Sequence, residues 1–186
     1  MSVRIYGNRQ LKTLSGQGTR PTSARVREAL FNIWQGRIAN CCWLDLCSGS
    51  GAMGAEALCR GAKNVIGIDK SGRACNIIKG NWKQVAQPEQ GFQVMQGDVV
   101  LKLKALVKQK FDFIYFDPPY SSNLYEPVLG IINKYELLTS NGEMAVEHNP
   151  KQWPATSIGD LVIHRQKTYG KTNLTFYQLK EPLNEQ

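Results

Sequence analysis

The run Cys42-Trp43-Leu44-Asp45-Leu46-Cys47 passes straight into Ser48-Gly49-Ser50-Gly51-Ala52-Met53-Gly54. A short apolar run bounded by glycines reads as a buried strand, and the glycine cluster as a tight turn into a helix. Such a junction opens a βαβ unit, and the pattern repeats down the chain. Residues 52–60 predict a helix and 64–68 a second strand, followed by a helix to about Val85. Residues 91–96 predict a third strand, 99–109 a helix and 111–116 a fourth strand. A helix over 125–138 and a fifth strand over 142–147 follow. The last two strands, 160–167 and 172–180, are joined by a turn at Tyr169-Gly170. This alternation implies an α/β, Rossmann-like fold. It is a mostly parallel seven-stranded sheet with an antiparallel edge and helices on both faces.

Upstream, residues 3–14 alternate weakly around Gly7-Asn8, which predicts a short basic hairpin or extended arm. Gly16, Gly18 and Pro21 mark a loop, and Thr22 or Ser23 caps a helix running through Ala29, Leu30, Ile33 and Trp34. Residues 1–40 therefore read as a basic N-terminal arm and helix packed on a core of 41–186, one domain overall. Residues 1–35 carry Arg4, Arg9, Lys12, Arg20, Arg25 and Arg27 against the single acid Glu28, in a chain of net charge +8. That balance favours a polyanionic partner such as nucleic acid. Five cysteines with no C-x-x-C pair offer neither a disulfide framework nor a zinc site. Reduced thiols, no apolar run of membrane-spanning length and no signal-peptide core fit a cytoplasmic chain without a membrane partner. No interface signature stands out, so a monomer is expected.

In an open parallel sheet, ligands sit outside the carboxyl ends of the strands. The residues there are Ser48 to Gly54, Asp69 with Lys70, Asp98 with Val99, and Asp117 to Tyr120. The loop Gly49-x-Gly51-x-x-Gly54 with Asp69 fifteen residues on first suggests a dinucleotide site. Asp45, so close before the loop, would repel a pyrophosphate, and no second catalytic domain fits in the chain. S-adenosylmethionine has no phosphate but has a sulfonium, an amino group, a ribose and an adenine. Asp45 would face the amino group, directly or through water, Asp69 the ribose and Asp98 the adenine amine. Ser48, Gly49, Ser50 and Gly51 would line the cofactor, with Lys70 and Val99 beside the acids. A helix cap is the plain alternative for Asp98.

Asp117-Pro118-Pro119-Tyr120 closes the fourth strand. An exocyclic amine on a nucleobase is a poor nucleophile because its lone pair is delocalised into the ring. Two acceptors on its hydrogens fix the amine and favour pyramidalisation. The Asp117 carboxylate and a backbone carbonyl, that of Pro118, supply them. The prolines lock φ and remove competing donors. Tyr120 offers a face on which an unstacked base rests. Asp117 is also a candidate carrier for the departing proton.

These motifs resemble class I amino-methyltransferases. The segment Arg20-Pro21-Thr22-Ser23-Ala24-Arg25-Val26-Arg27-Glu28-Ala29-Leu30-Phe31-Asn32 narrows the likeness to the RsmD family of bacterial 16S rRNA guanine-N2 methyltransferases. Val3 to Gly7, Leu44 to Leu58 and Tyr169-Gly170 agree with it. The resemblance implies S-adenosylmethionine as cofactor and methylation of the exocyclic amine of guanine 966 on an assembled or assembling small-subunit particle; the residues themselves leave free 16S rRNA and the particle both open as partners. It implies a base site at Asp117 to Tyr120. The basic segment, with Arg4, Arg20, Thr22, Arg25 and Arg27, would grip phosphates while the Thr22 region closes over the cofactor. Adenine-N6 methylation of RNA or DNA is the rival chemistry for the same tetrad, and a non-catalytic RNA-binding protein the rival class.

Overall fold

The computed structural model describes residues 2–14 and 23–180. Its elements run β1 (Ser2–Ile5), β2 (Arg9–Lys12), α1 (Ala24–Ile33), β3 (Cys42–Leu46), α2 (Ala52–Cys59), β4 (Asn64–Asp69) and α3 (Gly72–Val85). They continue with β5 (Gly91–Gln96), α4 (Val99–Lys104), β6 (Phe111–Phe116), α5 (Tyr125–Lys134), β7 (Leu138–His148), β8 (Leu161–Tyr169) and β9 (Thr172–Leu179). β1 and β2 pair as a separate hairpin, turning through Tyr6-Gly7-Asn8. The other seven strands form one sheet in the order β5-β4-β3-β6-β7-β9-β8. The first five of these are mutually parallel, and β9 runs antiparallel to both of its neighbours. The Rossmann-like expectation holds, antiparallel edge included.

Strand order reverses between β3 and β6, so the crevice outside their carboxyl ends is the switch point at which such sheets bind ligands. Two apolar layers flank the sheet. One packs α1, α2, α3 and the hairpin against Trp43, Phe113, Tyr115 and Phe176. The other packs α4 and α5 against Leu44, Leu46, Ile114 and Phe116. The period of two along β3 and β6 makes this division, with Trp43 opposite Phe113 and Leu44 opposite Ile114. α1 is pinned by aromatic contacts: Phe31 stacks on Trp43 at 5.3 Å, and Trp34 lies 4.5 Å from Phe113. Such pairs add about 0.5–1.5 kcal/mol each beyond the burial of area.

Three boundaries differ from expectation by four residues or more. α4 stops at Lys104, α5 stops at Lys134, and β7 starts as early as Leu138. The α5 end has an identifiable cause. Glu136 takes a left-handed φ of 48°. Its N–H bonds the Asn133 carbonyl, and the Leu137 N–H bonds that of Ile132. This is a Schellman closure with glutamate in glycine's usual place. Among the described residues no helix is long and apolar enough to cross a membrane.

Candidate active site

The β3–α2 junction turns through three left-handed residues, Cys47, Gly49 and Gly51. Gly51, at the N-cap of α2, has no side chain to cap the helix. Asp45 does so from the strand, its Oδ2 accepting from Gly54 N–H at 3.1 Å. Asp45 is 1% exposed. Burial pushes its carboxyl well above the usual carboxylate range, against the Gly54 hydrogen bond and helped by the charge of Asp69. Ser48 Oγ donates to the Asp45 carbonyl at 2.7 Å, and Ser48 N–H bonds across to Ile68.

Asp69, at the end of β4, reaches back to this loop. Its Oδ2 accepts from Gly49 N–H and its Oδ1 from Ser71 N–H, both at 2.9 Å. Each oxygen keeps a second lone-pair direction for a ligand hydroxyl. Lys70 beside it is exposed. Asp98 is exposed, and its Oδ1 accepts from Leu101 N–H at 3.0 Å, so its observed partner is the α4 backbone. Val99 is buried in the first turn of that helix.

Two residues of α3 that the motifs did not suggest hold the loop. Trp82 Nε1 donates to the Gly51 carbonyl at 2.8 Å, and Asn81 Nδ2 donates to that of Ser50 at 2.8 Å. A Cβ on Gly51, Gly54 or Gly67 would come within 2.8, 2.3 or 2.5 Å of the Trp82 ring. Two of the loop glycines thus make room for an indole. Gly49 is the open one, with nothing within 4 Å of an added Cβ. The only sequence signal for Trp82 is its place on the buried stripe of α3 with Ala74, Cys75, Ile78 and Val85.

β6 delivers Asp117 beside β3, its N–H directed at the Leu46 carbonyl at 3.4 Å. Pro118 is buried and Pro119 exposed, and the Pro119 carbonyl closes a turn with Ser122 N–H at 2.8 Å. The Tyr120 hydroxyl donates to Glu147 Oε1 at 3.0 Å and lies 2.9 Å from Thr172 Oγ1. The Tyr115 hydroxyl donates to Glu147 Oε2 at 2.5 Å. Glu147, 3% exposed at the end of β7, is a third residue the motifs did not reveal. Burial pushes the Tyr120 phenol up to about 12, so it is a neutral donor at neutral pH. Cys47 sits among the acids: burial, then the charges of Asp69, Asp117 and Asp45, push its thiol up to about 12. The structure thus brings the ends of β3, β4 and β6 together. Two surface concavities of about 310 and 360 Å³ lie at the opposite, amino ends of the strands, around Asn40, Gly61 and Lys63 and around Arg37, Asp112 and Asn141. They touch none of these groups.

The basic set divides. Arg4 and Arg25 are exposed, whereas Arg20 and Thr22 fall outside the described residues. Arg27 corrects the expectation of a phosphate grip on the outer face of α1. It is 2% exposed, its Nε donates to Glu56 Oε2 at 2.9 Å, and its Nη2 donates to the Arg4 carbonyl. It docks α1 and the hairpin onto α2.

The family described as "Conserved hypothetical protein 95" matches residues 3–178. The chain belongs to this family. The Bacillus subtilis protein YlbH, provisionally named an rRNA methyltransferase, is 34% identical over 172 residues, which is 91% of this chain and 93% of YlbH. Ribosomal RNA small subunit methyltransferase D of Haemophilus influenzae is 30% identical over 175 residues, 94% of this chain and 90% of that protein. A solved Escherichia coli structure, provisionally described as the methyltransferase yhhF, has a TM-score of 0.80 at 25% identity. It covers 98% of this chain and 100% of its own. The motif resemblance to RsmD, a class I methyltransferase family, is thereby borne out.

S-adenosylmethionine, the methyl donor of that class, fits the donor set present. The glycine loop is surrounded by carboxylates, which suits an amino-bearing, phosphate-free ligand. Gly49 leaves its backbone open, and Asp69 is oriented by two N–H groups and retains acceptor capacity for a diol. Asp45 lies behind the loop, 1% exposed and bonded to the Gly54 N–H, which corrects the expectation that its carboxylate faces the ligand directly.

Proposed function

We propose that this RsmD-family chain transfers a methyl group from S-adenosylmethionine to the exocyclic N2 amine of a guanine in 16S rRNA. By the family likeness the guanine is number 966, and the substrate is free RNA or a small-subunit particle. The observation that carries the reading is the placement of Asp117 beside the end of β3, one strand from the Asp69–Gly49 pair.

The cofactor supplies an electrophilic methyl group when bound; the chain supplies positioning. The Asp117 carboxylate accepts one amine hydrogen and the Pro118 carbonyl the other, which turns the nitrogen lone pair out of the ring system. The released proton passes to an Asp117 oxygen or to water. A phenol tethered at its far end to Glu147 and Thr172 cannot swing, so the Tyr120 ring is a fixed plane for the extruded base. Stacking there contributes about 1–3 kcal/mol. Asp69 and the Gly49 to Gly51 backbone hold the cofactor, with Lys70, Asp98 and Val99 at its rim. Arg4 and Arg25 are the described members of the basic set whose side chains are exposed, and they would meet phosphates.

The test is methyl transfer from labelled S-adenosylmethionine to unmodified 16S rRNA, free and in particles, followed by digestion to nucleosides. N2-methylguanosine from wild type, absent with Asp117→Ala, is expected. N6-methyladenosine in its place would overturn the guanine assignment.

A further inference from the structure

Beyond the base site, the last two strands carry charge of one sign. Residues 161–180 contain Arg165, Lys167, Lys171 and Lys180 and no acid. β8 is an edge strand running parallel to β7, so its carboxyl end lies at the same end of the sheet as Glu147. The turn Tyr169-Gly170-Lys171-Thr172 then adjoins Tyr120 through the Thr172 hydroxyl. Arg165 pairs with Phe176 and Lys167 with Leu174. Residues directly opposite in a ladder share a face, and Phe176 and Leu174 belong to the layer beneath α1. Arg165 and Lys167 therefore point to the α1 side, and the Arg165 guanidinium lies 5.9 Å from the Phe176 ring centre. Arg25, at the start of α1, reaches the same surface, 5.9 Å over the Tyr169 ring.

All five of these cations are exposed, and none forms an ion pair among the described residues. The nearby acids are Glu28, exposed on α1, and Glu143 and Glu147, both buried in β7. Lysines on an edge strand also discourage strand pairing. That role would serve the whole edge, yet Leu161, Val162 and Ile163, at the end remote from the site, carry no charge. Alternate residues on a strand stand about 6.8 Å apart, a spacing comparable with successive phosphates of an extended strand.

We propose that Arg165, Lys167 and Lys171, with Arg25, form a track for the backbone of the RNA strand flanking the base held at Tyr120. This rests on the functional reading above. The partner is single-stranded RNA, recognised by phosphate charge and not by sequence.

The test uses the full chain and in-vitro-transcribed 16S rRNA. Affinity is measured between about 50 and 200 mM salt for wild type, for R165A/K167A/K171A, and for K104A/K108A/K134A on the α4–α5 side. Each lost phosphate contact removes about 0.7 from the slope of log affinity against log salt. The track variant is expected to lose about 2 in slope and about tenfold or more in affinity, with S-adenosylmethionine binding unchanged. The control is expected to behave as wild type. Equal slopes and affinities for all three proteins would overturn the track, and would leave the functional reading intact if wild type still forms N2-methylguanosine. Slope loss in a protein whose wild type methylates no guanine would support the track and sink that reading.

Discussion

The Trp82 indole lies so close to Gly54 that a Cβ there would meet its Cζ2 at 2.3 Å. Two elements far apart in sequence are thereby locked, because the same ring holds the Gly51 carbonyl. Gly54→Ala must push the ring out of a filled layer. Overpacking of this kind destabilises by about 1–3 kcal/mol. Urea unfolding should show the loss, and calorimetry should show weaker S-adenosylmethionine binding. Wild-type affinity in a destabilised Gly54→Ala would mean that the ring does not shape the loop.

Arg27 and Glu56 form a buried pair, each side chain 3% exposed. Removing one partner strands the other charge, although Arg60 also reaches Glu56 at 2.9 Å. Arg27→Ala should therefore destabilise by about 3 kcal/mol. It should leave the salt dependence of RNA binding unchanged, whereas Arg25→Ala should reduce it. A reduced slope for Arg27→Ala in a fully folded sample would restore the phosphate role.

How much of this was legible in the sequence depends on what each residue touches. The succession of strands and helices and the glycine loop were readable because they follow from local periodicity and turn chemistry; the order of the strands within the sheet was not, because the crossovers set it. The expected end of α2 at residue 60 agrees with the structure to one residue, and Gly61, at a φ of 91°, follows its C-cap. The end of α5 was not legible, because Glu136 does the same work without glycine. Asp117 was readable as a motif. Its neighbour Glu147 was not, since a single carboxylate in a strand becomes informative only when two phenols converge on it. Arg27 misled because an arginine in a basic segment looks solvent-facing until a buried acid is found opposite.

Tyr120 and Glu147 should behave as a unit. Tyr120→Phe removes the tether and keeps the ring; Glu147→Gln keeps the shape and alters the acceptor. Each is expected to lower kcat about 3–10-fold, the equivalent of one hydrogen bond, with cofactor affinity unchanged. The double variant should lose much less than the product of the two. Simple multiplication of the effects in single-turnover assays would mean that Glu147 does not act through Tyr120.

Stability should fall on the alkaline side. Burial raises the Cys41 and Cys47 thiols from 9.0 to about 12, and the Tyr120 phenol from 10.0 to about 12. Above the unfolded values the unfolded chain sheds protons that the folded chain retains, so stability decreases with rising pH. The contribution is full below pH 9 and is lost progressively toward about 12. Urea midpoints should thus be level between pH 7 and 8.5 and decline by pH 10.5, and Cys41→Ala should flatten the decline. A midpoint that does not change up to pH 10.5 would contradict this.

Glu136 offers the opposite kind of change. A left-handed residue with a Cβ is strained by about 1–2 kcal/mol. Glycine removes that strain and returns about 0.5–1 kcal/mol to the unfolded chain as entropy. Among the described residues the Glu136 carboxylate pairs with Lys110, at 3.3 Å and largely in solvent, a contact of little worth. The Lys110 hydrogen bond to the Glu136 carbonyl survives the substitution. Glu136→Gly should therefore stabilise by about 0.5–1 kcal/mol, seen as a higher urea midpoint at unchanged m-value. Asn, which tolerates the same φ, should fall between the two. A loss of stability with glycine would mean that the carboxylate contributes more at the α5 terminus than its exposure suggests.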